Sequence, residues 1–172
     1  MWVDLDLSEV IMAGVVGVKR RTRGIQQNRS EPHGKPRTAN GDSDLWGIDI
    51  EGSGAEYAVA RTLNRFWRTG IKQRLADALT DVGYDIQVRS TTNPRATHLL
   101  VYETDRESDY FFFVRGRMPK LEIVGWIHGS DAKVERFWQE TPRGTMAFWI
   151  PESELIELND QEWEVARDHR KQ

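Results

Sequence analysis

Around residue 83 the sequence changes period, and that change limits the fold more than any other feature. Before it, apolar residues recur at helical spacing. After it, short runs rich in β-branched and aromatic residues alternate with turn formers. Ala55, Val59, Leu63 and Phe66 share one stripe of a helix expected from Ser53 to about Trp67, with Glu56 beside that stripe. A first helix is expected from Ser8 to about residue 27, with Ser8 as cap and Glu9 in the first turn. Strands are expected at 84–90, 97–103, 110–115, 121–128 and 146–150. Turn signals at Asn93-Pro94, 105–109 and 116–119 keep the connections short and favour an antiparallel meander. Residues 45–50 read as a short strand or as the lead-in to a helix, 70–80 as helix or loop, 131–139 as a helix and 151–155 as a turn. The sum is an α+β or α/β domain in which a central four- to five-stranded mixed sheet is flanked by helices.

At 172 residues the chain is long enough to bury a proper core, and one domain over 1–158 is expected. Residues 28–44 are rich in turn formers and read as a loop, mobile or functional; residues 159–172 read as a polar tail. Cysteine is absent, so no thiolate metal site is available and a reducing cytoplasm is the expected home. No apolar run approaches a membrane span and no signal-peptide pattern opens the chain. The net charge of −3 is mild, but it is unevenly spread. Lys19, Arg20, Arg21, Arg23, Arg29, Lys35 and Arg37 meet only Glu31, whereas the stretch from Glu152 to Glu164 is acidic throughout. A basic end attracts phosphate without reading base sequence; a solvated face is the plainer account of either run.

Chemistry concentrates in Asp81-Val-Gly-Tyr-Asp-Ile-Gln-Val-Arg-Ser90. On a strand over 84–90, Ile86 and Val88 point into a core while Asp85, Gln87 and Arg89 share the other face, with Asp81 at the entrance. Carboxylate and amide oxygens suit a hard cation such as Mg²⁺, and an arginine steadies phosphoryl charge. That arrangement points to a metal-dependent phosphodiesterase. Plainer accounts stand beside it: Asp81 as a turn former, Glu56 as a surface carboxylate, and Gln87 and Arg89 as a polar strand face.

Asp81, Gln87-Val-Arg89 and the upstream Gly54-Ala-Glu56-Tyr-Ala-Val-Ala60 resemble the PD-(D/E)XK nuclease superfamily, and Gln87 in place of the second acid is similar to its Mrr-type restriction endonuclease branch. Over roughly residues 8–156 the chain also resembles a group of small tailed-phage proteins. Their order is a Glu-bearing helix, an Asp-Val-Gly…Val-Arg strand and a Gly-Trp-Ile-x-Gly turn, here Gly125-Trp-Ile-His-Gly129. The resemblance implies a restriction-endonuclease-like core, DNA as partner, Mg²⁺ or Mn²⁺ as cofactor and the host-cell cytoplasm as location. In that reading Glu56, Asp81, Gln87 and Arg89 are catalytic. Asp81 and either the Gln87 side chain or the Val88 carbonyl hold the metal, and Glu56 orients it or its water. Arg89 stands where the superfamily has lysine; it forks onto phosphate but does not give up a proton. Asp81 and Gln87 are closely spaced, so Asp81 sits in a tight turn with Gly83, or Asp85 or Asp77 is the first acid.

Arg20, Arg21, Arg23, Arg95, Arg115, Arg117 and Lys120 are the candidate phosphate contacts. Trp126 and His128 share a strand face, with a core tryptophan and a structural histidine as the plain reading. The four histidines show no zinc spacing. A second function class is a catalytically inactive descendant of the same fold that binds DNA or a host protein, such as a defence enzyme. A homodimer is compatible with either class.

Overall fold

The computed structural model describes residues 1–27, 43–69, 80–141 and 144–159. Residues 28–42 of the expected 28–44 loop, residues 70–79 with the alternative acid Asp77, and the tail beyond Asn159 lie outside them. The described elements, in order, are β1 (Trp2–Asp4), α1 (Leu7–Gln26), α2 (Ser43–Thr62), β2 (Ile86–Thr91), β3 (His98–Val101), β4 (Tyr110–Arg117) and β5 (Lys120–His128). A single turn α3 (Gly129–Ala132), β6 (Trp138–Glu140) and β7 (Met146–Pro151) follow.

Among the described residues seven strands form two sheets: β1-β5-β4-β2, mixed, and β3-β7-β6, antiparallel. The α+β class and a four-stranded mixed sheet are as expected from the sequence; the second sheet is not. The meander also fails at its start. β2 pairs parallel with β4, and β3, which lies between them in sequence, joins the other sheet. Only β4 and β5 form the expected hairpin. The reason lies in burial. Tyr110-Phe-Phe-Phe-Val114 is continuously apolar, as a strand covered on both faces must be. Tyr110, Phe112 and Val114 pack with Ala55, Ala58 and Val59 of α2, while Phe111 and Phe113 pack with Leu99, Val101, Phe148 and Ile150 of the second sheet. Two cores thus sandwich β4, and β3 must leave the first sheet to cover its far face.

Local details differ as well. Asp6, not Ser8, caps α1: its Oδ1 accepts the Glu9 N–H (2.9 Å) and the Glu9 Oε2 accepts the Asp6 N–H (2.8 Å). The 45–50 segment is helical, and α2 opens at Ser43, inside the expected loop. That helix ends at Thr62, short of Trp67, and Phe66 is exposed, not part of the buried stripe. The helix expected at 131–139 shrinks to α3 and a 3₁₀ turn at Glu135–Phe137, because Phe137 turns into the second core and β6 starts at once. Among the described residues, no helix is long and apolar enough to cross a membrane.

Candidate functional site

The site is built where α1 and α2 cross over the outer edge of β2. Gly17 permits that crossing: a Cβ there would stand 2.5 Å from Ile50 Cα and 2.6 Å from the Asp49 carbonyl oxygen. Almost one turn further along α1, Arg20 meets Glu56, which lies on the face of α2 turned inward and is buried. The guanidinium forks onto the carboxylate, Nη1 to Oε1 and Nη2 to Oε2, both at 2.6 Å. Its remaining donors are used too, Nε on the Thr69 carbonyl (2.7 Å) and Nη2 also on the Arg68 carbonyl (3.0 Å). The Trp67 indole N–H donates to Glu56 Oε2 (3.0 Å), and the Tyr57 ring meets Trp67 edge-on at 5.3 Å.

Asp81 arrives by a separate route. The Arg68 N–H donates to the Asp81 carbonyl and the Gly83 N–H to the Phe66 carbonyl, so 66–68 runs antiparallel beside 81–83. The chain then reverses tightly through Gly83, whose φ of +58° suits glycine, and enters β2. Asp81 therefore sits in a tight turn with Gly83, one of the two alternatives its spacing left open. Its Oδ2 accepts the Val88 N–H (2.8 Å), taking the place of a neighbouring strand on the edge of β2 that faces away from β4.

The carboxyl of Asp81 is pushed up to about 7. Burial is the main cause and the negative charge of Glu56 the second; the Val88 N–H and the charges of Arg89 and Arg20 oppose them. Arg20 in turn feels three acids: Glu56, Asp81 and Asp49. Burial disfavours its cation, but the Glu56 bonds together with the charges of Glu56, Asp81 and Asp49 outweigh that and hold its proton more tightly than usual.

Gln87 and Arg89 go elsewhere. Their pairing with Phe111 and Phe113 turns them to the face of the second sheet, opposite the α2 side. Arg89 donates to both Asp105 oxygens from one nitrogen, Nη2 (2.8 and 2.7 Å), and lies over the rings of Phe111 and Tyr102, at 5.6 and 5.8 Å. Gln87 donates to Asp109 Oδ2 (3.3 Å), which Arg106 also pairs. Of the four expected catalytic residues, the fold brings Glu56 and Asp81 together. Arg89 reaches them through its charge alone, and the Gln87 side chain faces the far side. Asp85 is half-buried at the turn, and its carbonyl accepts the Tyr110 N–H.

The expected phosphate contacts divide in the same way. Arg95, Arg117 and Lys120 are exposed, and Arg21 and Arg23 are half-exposed on α1. Arg20 is committed to Glu56. Arg115 is committed to Glu122 and Glu152 (2.6 Å each), whose bonds raise its pKa. His128 caps α3, its Nδ1 accepting the Ser130 N–H (3.3 Å), and Trp126 is core, as the plain reading had both. The sequence reading missed Trp67, Asp49, Asp105 and Asp109. None carries a local signal, since each joins the site through partners distant in the chain.

A hard divalent ion is compatible with this donor set, although no group of three acids or histidines suited to a metal occurs among the described residues. Mg²⁺ needs only one or two protein carboxylates and fills its other positions with water and phosphate. Asp81 and Glu56 supply two. No family model matches this chain, and neither does any curated protein or solved structure.

Proposed function

We propose that this chain is a phage-type DNA-binding protein with a restriction-endonuclease-like core that hydrolyses phosphodiesters in a Mg²⁺- or Mn²⁺-dependent way. The observation that carries the reading is the pair of acids, Glu56 buried and Asp81 half-buried, brought to the free edge of β2 by two separate chain segments. Asp81 and Glu56 would hold the ion. With the Gln87 side chain turned away, the Val88 carbonyl is the remaining donor from the strand. When bound, the ion would polarise the scissile phosphate and lower the pKa of the attacking water. Trp67 orients the Glu56 carboxylate through its indole N–H. Arg20 holds the Glu56 carboxylate through two bonds and sits where incoming phosphate would be drawn. Arg89 adds positive charge from behind the strand and is not the base. Arg95, Arg117 and Lys120 are left to hold the DNA backbone.

A second reading has one observation in its favour. Both Glu56 oxygens are already bonded, by Arg20 and Trp67, so the centre is also a finished ion-pair network that needs no metal. In that reading the protein binds DNA or a host protein without cutting.

Calorimetric titration of Mg²⁺ and Mn²⁺ into wild type and Asp81→Asn, followed by plasmid cleavage, separates the two. Binding and cleavage that both vanish in the variant support the enzyme. Salt-sensitive DNA binding with no ion uptake moves the assignment to the non-catalytic protein, and full cleavage by Asp81→Asn rejects this site.

A further inference from the structure

Helix α1 carries two apolar faces, and the fold uses one. Ala13, Val16 and Gly17 are buried, the side on which α1 crosses α2. On the side away from them, Leu7 (76 % exposed), Ile11 (58 %), Val15, Val18 and Ile25 (50 %) stand in solvent. From Ile11 onward the spacing is regular: Ile11, Val15, Val18, Thr22 and Ile25 alternate four and three residues apart, the seam of a coiled coil. Single exposed aliphatics are ordinary; a continuous stripe along some 27 Å of helix is not. Gly14 lies within the stripe, and a Cβ there would meet nothing, so a second helix has room to approach closely.

The charges at the two ends of α1 decide what fits the stripe. The N-terminal end carries Asp4 and Asp6, and the C-terminal end carries Lys19, Arg21 and Arg23. We propose that two copies of this chain pair through the outer stripe of α1, antiparallel, about a two-fold axis near residue 16. This arrangement sets Leu7 against the partner's Ile25 and Ile11 against the partner's Thr22, with Val15 and Val18 meeting at the centre. Each acidic end then faces a basic one, and the opposed helix dipoles attract. A parallel pair would stack Lys19, Arg21 and Arg23 on their own copies. The interface is self-complementary and closed, as a two-fold dimer requires. It lies apart from the Glu56–Asp81 centre and does not depend on it.

The chain has no cysteine, so introduced thiols report without background. Leu7→Cys and Ile25→Cys are made separately, both at exposed positions, together with Val18→Asp. Sedimentation equilibrium is expected to show a dimer for the wild type and a monomer for Val18→Asp with unchanged circular dichroism. Under mild oxidation a mixture of the two cysteine variants is expected to cross-link Leu7→Cys to Ile25→Cys, while Leu7→Cys alone stays uncoupled. A wild type that remains monomeric at every concentration overturns the proposal. Efficient coupling of Leu7→Cys to itself overturns the antiparallel arrangement. A monomer that floats with anionic lipid vesicles through the same residues assigns the stripe to a membrane surface instead.

Discussion

The two sides of β2 each hold an arginine paired with a carboxylate, in different electrostatic settings. On the α2 side, Arg20 forks onto Glu56 with Asp81 and Asp49 close by, and the charge of Arg89 reaches Asp81. On the side of the second sheet, Arg89 is bonded to Asp105 and Arg106 to Asp109. Lys133 donates there to the Glu103 and Asp105 carbonyls, so charge is balanced. A balanced network holds loops in place. The α2 side instead holds a carboxyl, Asp81, that burial first and the charge of Glu56 second push up to about 7. The contrast explains why the four residues that looked like one site on the sequence divide into a candidate centre and a structural tie.

The largest effect that tests this comparison is on stability. Arg20→Ala leaves Glu56 buried without its partner and should cost about 3–5 kcal/mol in urea unfolding. Arg89→Ala should cost less, about 1–3 kcal/mol, because Asp105 keeps the Tyr102 N–H. Equal costs would erase the distinction between the two sides. Asp81→Asn should lower divalent-dependent cleavage by roughly 100-fold or more, while Arg89→Lys should leave it within a few-fold. A plasmid assay on both variants reads the difference directly, and the reverse order would put the chemistry on the second-sheet face.

Gly17→Ala comes next, since its Cβ would press on the α2 backbone at Asp49 and Ile50 and push Arg20 away from Glu56. A loss of about 1–3 kcal/mol is expected, with a matching fall in ion affinity. The smallest effect is in pH. Between the ordinary carboxylate range and about 7, the folded chain keeps a proton on Asp81 that the unfolded chain has lost. This contribution is therefore lost as pH rises through that window. Wild type should melt a few degrees lower at pH 8 than at pH 5 relative to Asp81→Asn, which has no such group. Added Mg²⁺ should recover that difference for wild type alone; if it does not, Asp81 is not a ligand.

Much of the fold was legible because its signals are local. The helical period up to Leu63, the strand runs after residue 83, the Gly83 turn and the β4–β5 hairpin each depend on a few neighbouring residues. The partners of strands were not legible. Parallel pairing of β2 with β4, and the departure of β3 to a second sheet, follow from covering both faces of one central strand, which no local window contains. The site divided along the same line. The sequence by itself determined that Asp81 stands at a turn beside β2 and that Gln87 and Arg89 share a face. Only the tertiary structure decided which face that is. It alone set Arg20 on Glu56 across 36 residues of chain, because burying a carboxylate requires a cation and the crossing at Gly17 delivers the nearest one.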